Sequence, residues 1–151
     1  MRAKTTLKWL LLALGGILGG ALLGAAAVFV IIGQDLSRTF DVAATGIVVP
    51  DDEASIAKGE RVARLRGCYN GCHGKTTGGG VLIEIPDGTS IIAPDLALAA
   101  QKYTNGELER LIRHGIRPDG TSVNFVMPSA MLYHLSDEDL GALIAFLRRQ
   151  S

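Results

Sequence analysis

Residues 66–74 read RGCYNGCHG and place Cys68, Cys72 and His73 within six positions. The chain has only these 2 cysteines, too few for a disulfide scaffold, which needs several bridges to replace a missing core. A bridge between Cys68 and Cys72 would close a very small loop and give His73 no part. Zinc accepts a C-x3-C ligand pair. Its remaining ligands would then have to come from His73, adjacent to Cys72, and from the isolated His114 or His134.

The third chemistry is covalent haem, in which two thiols add to the two vinyl groups and the histidine that follows binds iron. It uses all three residues. On this motif the chain resembles a monohaem c-type cytochrome of class I, over most of residues 56–149. The usual motif is C-x-x-C-H and this one is C-x-x-x-C-H. The extra residue lies within Tyr69-Asn70-Gly71 and has to bulge, which Asn and Gly backbones accept. Ahead of the motif, KGERVARLRGC (58–68) resembles the family's N-terminal helix, in which Gly59 permits close crossing by the last helix. LSDEDLGALIAFLRR (135–149) resembles that last helix, with Phe146 as the aromatic resting on Gly59.

The resemblance implies an all-α, cytochrome c-like helical domain around one covalently attached haem c. It also implies a second axial ligand from a methionine ahead of the last helix. Met127, in Met127-Pro128, fits that place, with Met131 as the fallback and His134 as a rival. Pro94 in IIAPDL (91–96) aligns with the proline whose carbonyl accepts the proton of the axial histidine's free ring nitrogen; a plain turn proline is the competing reading. His114 ends a helix, where a histidine suits the dipole, and is given no ligand role. Arg113 and Arg117 read either as partners of haem propionates or as solvated surface.

Away from the motif, Trp9–Ile32 (WLLLALGGILGGALLGAAAVFVII) runs for 24 residues without a charge. At about 1.5 Å per residue, a helix of that length exceeds a hydrocarbon core of roughly 30 Å. The apolar core of a signal peptide is shorter, so the stretch reads as an uncleaved anchor. Arg2, Lys4 and Lys8 precede it and favour a cytoplasmic N-terminus, which in a bacterial inner membrane places the rest in the periplasm. Gly16, Gly20 and Gly24 share one helix face and would let a partner transmembrane helix approach, although glycine is common in such helices anyway.

With 15 basic and 15 acidic residues in 151, the chain lacks the basic excess of a nucleic-acid-binding protein. Residues 1–33 read as the anchor, 34–50 as a linker that ends in Pro50, and 51–151 as the cytochrome domain. That domain has no tryptophan and only five aromatics, Tyr69, Tyr103, Phe125, Tyr133 and Phe146, a thin core that a large apolar cofactor would fill out.

Three helices are expected there. Asp51 or Asp52 caps the first, which carries Ile56, Val62, Ala63 and Leu65 and closes at Gly67. Thr104 and Glu107 form a capping box for the second, which stops at Gly115. Ser136 and Asp139 start the third, with Leu140, Leu143, Ile144 and Leu147 at helical spacing. Residues 74–100 read as irregular, with 81–85 as one short strand.

The expected function is a membrane-anchored electron carrier between redox proteins, either free or as a subunit of a dehydrogenase or respiratory complex. It is not an enzyme in its own right. Without a methionine on iron the reading becomes a five-coordinate haem sensor or a peroxide-reactive protein; without haem it becomes a zinc module.

Overall fold

A computed structural model describes residues 2–150, the side chains of residues 1–5 and 36 excepted, so those of Arg2 and Lys4 lie outside the described residues. The chain forms two compact units, Met1–Arg38 and Thr39–Ser151. The first is a single helix, α1 (Arg2–Leu36). Its stretch Thr6–Asp35 is long and apolar enough to cross a membrane, with mean hydropathy 2.3 and none of it buried.

In the second unit, α2 (Glu53–Leu65) starts where Asp52 accepts a hydrogen bond from Ser55 N–H. A hairpin of β1 (Gly80–Glu84) and β2 (Ser90–Ala93) follows. Then come α3 (Leu96–Lys102), α4 (Asn105–His114), the single turn α5 (Ser129–Leu132) and α6 (Asp137–Arg149). The expectation of an all-α domain is corrected by the antiparallel pair β1–β2, whose register slips at a bulge between Val81 and Ile83. Its turn is closed by Asp87, which accepts from Thr89 N–H.

The segment read as irregular also contains α3, capped by Asp95, which accepts from Leu98 N–H. The expected box of α4 is complete: Thr104 and Glu107 each accept from the other's backbone N–H. At α6 only Ser136 accepts from its partner, because the Asp139 carboxylate turns to Lys58 on α2, 2.8 Å away.

Helix α6 is the centre of the core. Every residue from Leu140 to Leu147 is buried, and each fully buried Leu or Ile contributes roughly 1.5–3 kcal/mol. Helices α2, α3 and α4 all pack on it. The crossing with α2 is closest at Gly59, where a Cβ would lie 2.0 Å from the Ala142 carbonyl oxygen and 2.9 Å from Phe146 Cβ. Phe146 meets the Tyr69 ring edge to face at 5.8 Å. Arg148 binds the Tyr103 carbonyl and Asn105 Oδ1, each at 2.9 Å, and the Ala100 carbonyl, tying the end of α6 to the α3–α4 junction.

The segment read as a linker does not run free from Thr39 onward. Thr39 bridges Thr121, Phe40 N–H donates to the Gly120 carbonyl, and Ile47 and Val49 pack on the core. The clasp is Glu109 on α4, only 1% exposed. Its carboxylate accepts from Thr45 N–H at 2.9 Å, Thr45 Oγ1–H at 2.6 Å and Gly46 N–H at 3.3 Å. Burial alone would push this carboxyl up; the hydrogen bonds outweigh it and hold it below the usual 4.5. The stabilisation is therefore complete above about pH 4.5 and is lost as pH falls through the lower folded-state value. Glu109→Gln is expected to cost about 2 kcal/mol, the scale of hydrogen bonds to a charged group. A lowered urea midpoint together with new protease cleavage within 39–50 would report it; an unchanged midpoint would remove Glu109 as the clasp.

Candidate haem site

Between α2 and the hairpin the chain turns through Cys68, Cys72 and His73, and all three line one cavity of about 240 Å³. Pro94, Met127, Leu82, Ile91, Val126 and Leu132 contribute to the same wall, with Arg66 and Arg117 also lining it. His73 is 7% exposed. Its Nδ1 lies 2.9 Å from the Pro94 carbonyl oxygen, which only an Nδ1–H can donate to, so Nε2 keeps its lone pair. Burial pushes the pKa of His73 down against the opposing pull of Pro94, which favours the neutral, ligating imidazole. The Cys68 thiol is pushed up to about 11, first by burial and then by Cys72, as befits a sulfur in an apolar pocket.

Local structure sets this geometry. Gly79 N–H donates to the His73 carbonyl at 3.0 Å, and Leu96 N–H donates to the Thr77 carbonyl at 2.8 Å. The first bond closes the loop after His73 on itself, and the second staples it to the start of α3, which carries Pro94 ahead of its cap. Thr77 is fully buried with φ +59°, a costly backbone for a β-branched residue. On the other side Asn124 closes a turn: its Oδ1 accepts from Val126 N–H and its carbonyl accepts from Met127 N–H, both at 3.0 Å. Met127 is thereby half-buried at the cavity.

The structure thus brings together Cys68, Cys72, His73, Pro94 and Met127. It does not bring Met131, 64% exposed and outside the cavity, nor His114 and His134, whose rings meet that of Tyr133 edge to face at 5.4 and 5.3 Å. Arg113 binds Asp137 and the Leu135 carbonyl instead of the cavity, whereas Arg117 lines it. Arg66 and Asn124 were not singled out from sequence. Arg66 is signalled only by its place two positions ahead of Cys68, and Asn124 only as an Asx-turn residue three positions ahead of Met127. Two thiols, an imidazole with a free Nε2 and a thioether around an apolar hollow form a donor set that fits a covalently held haem.

The family model described as cytochrome c matches residues 56–151. The cytochrome c subunit of the quinone alcohol dehydrogenase of Gluconacetobacter polyoxogenes is 34% identical over 128 residues, 81% of this chain and 25% of that protein. The corresponding subunit from Gluconobacter oxydans (strain 621H) is 40% identical over 101 residues, 63% of this chain and 21% of that protein. The cytochrome c subunit of gluconate 2-dehydrogenase from Pantoea cypripedii is 31% identical over 106 residues, 64% of this chain and 24% of that protein. The chain spans about a quarter of the length of such relatives. The family match runs from α2 to the end of the last helix, over the whole cavity, and by it the chain belongs to the cytochrome c family.

Proposed function

We propose that this class I c-type cytochrome is a membrane-anchored carrier of single electrons, held by α1 with its haem domain on the periplasmic side of a bacterial inner membrane. Residues 1–33 act as the anchor and 51–151 as the cytochrome domain, with 34–50 joining them and its part from Thr39 onward packed on that domain. Haem c, which family membership brings with it, supplies reversible one-electron chemistry at its iron. Cys68 and Cys72 would tether it, and His73 Nε2 and the Met127 sulfur would be the two donors to its iron. The Pro94 carbonyl fixes the ring of His73 and makes it a stronger donor. Ile91 and Leu132 would keep water from the site, and the Met127 thioether would favour the reduced state and leave the iron closed to small ligands. The observation that carries the reading is the convergence of Cys68, Cys72, His73 and Met127 on one cavity. The relatives named as dehydrogenase subunits support a place in such a complex, with a catalytic subunit as electron donor.

Carbon monoxide added to the reduced protein is expected to leave its absorption spectrum nearly unchanged. Met127→Ala should keep the haem, bind carbon monoxide and lower the reduction potential by on the order of 0.2 V, part of the roughly 0.8 V that axial ligands span. A potential unmoved by Met127→Ala would take the thioether off the iron.

A further inference from the structure

The motif holds one residue more than its family's spacing, and the backbone shows where the surplus goes. Asn70 has φ +59°, in the left-handed region that Asn enters more readily than any branched residue. Its N–H donates to the Gly74 carbonyl at 3.0 Å, Gly74 N–H donates to the Gly71 carbonyl at 3.0 Å, and Cys72 N–H reaches back to the Gly67 carbonyl at 2.8 Å. The last bond closes the loop between the cysteines on itself. Gly71 serves by its size: a Cβ there would lie 2.5 Å from the Gly67 oxygen and 2.9 Å from Gly67 Cα. With the loop folded this way, Cys68 and Cys72 line the same cavity despite the three residues between them.

Resting on the haem-binding assignment above, we propose that Asn70 is the positioning residue of this motif. Its left-handed backbone, closed by Gly71 against Gly67, takes up the extra residue and turns both thiols toward one haem, so that two thioethers form. Each attachment is an addition. The S–H bond breaks, sulfur bonds to the vinyl carbon next to the ring, the hydrogen goes to the terminal carbon, and the vinyl π bond is lost. Nothing leaves and no external oxidant or reductant is consumed. A doubly attached chain therefore weighs the polypeptide plus one whole haem and presents no thiol.

The test is a thiol count on the full chain, matured with haem-ligation machinery, then reduced, denatured, alkylated with iodoacetamide and weighed. The wild type is expected to carry one haem and no alkylated cysteine. Asn70→Val, whose branched side chain resists this backbone, should gain one alkylated cysteine, mapped to Cys68, or lose its haem-bearing form altogether. Asn70→Gly, indifferent to the sign of φ, should match the wild type. An alkylated cysteine in the haem-bearing wild type, a wild-type result in Asn70→Val, or the same defect in both variants would overturn the proposal. A wild-type chain with no haem mass would instead overturn the assignment on which it rests.

Discussion

His73→Ala is expected to abolish the haem-bearing form of the protein. The imidazole is the one side chain at the cavity that is buried, adjacent to Cys72 and fixed in its tautomer by a second group, the Pro94 carbonyl at 2.9 Å. Without it the proposed donor to the iron is gone, and the Pro94 carbonyl loses the N–H it accepts from. Neither His114 nor His134 lines the cavity, so no other histidine takes its place. Haem staining after denaturing electrophoresis, set against the amount of polypeptide, reads the result directly. A stained band of wild-type intensity would show that the imidazole is dispensable for maturation and would undo the axial assignment.

Gly59→Ala is expected to destabilise the haem domain by roughly 2 kcal/mol or more, against the direction that helix propensity alone dictates. Alanine in a helix interior is favoured over glycine by about 1 kcal/mol. Here the added methyl group would stand 2.0 Å from the Ala142 carbonyl oxygen and 2.9 Å from Phe146 Cβ, distances at which backbone has to move. The clash lies against main chain in the middle of α6, where nearly every neighbour is buried, so separation of α2 from α6 would loosen the whole core. Overpacking costs about 1–3 kcal/mol and occasionally more, and a 2.0 Å approach to main chain belongs at the upper end, about 3 kcal/mol or more, which leaves roughly 2 kcal/mol after the propensity gain. Urea unfolding of the holoprotein should show the lower midpoint; a midpoint equal to or above wild type would mean that the helices do not cross at Gly59.

Much of this architecture is legible in local sequence. Asp52, Thr104 with Glu107, and Ser136 cap the helices they stand before, and Leu140, Leu143, Ile144 and Leu147 form the stripe that their spacing announces. The crossing of Gly59 with Phe146 follows from the resemblance and is present in the structure. What escapes local reading depends on distant partners. Helix α3 has only seven residues, too few for a period to show, and is held by α6 and by Arg148. The strand at 81–84 is anticipated, but its partner Ser90–Ala93 and the bulge between Val81 and Ile83 arise from pairing across the turn. Glu109 sits beside the apolar stripe of α4 and reads as one more surface acid. Only the arrival of Thr45, 64 positions away, makes it a buried clasp. At the site, Pro128 after Met127 favours that methionine over Met131 in sequence, and the Asn124 turn places it at the cavity.

Because α2, α3 and α4 all lean on α6, and α6 follows every other helix in the order of synthesis, the hydrophobic interior has no foundation until residues 137–149 have been made. Throughout that interval both thiols and the imidazole stay reachable on an open chain.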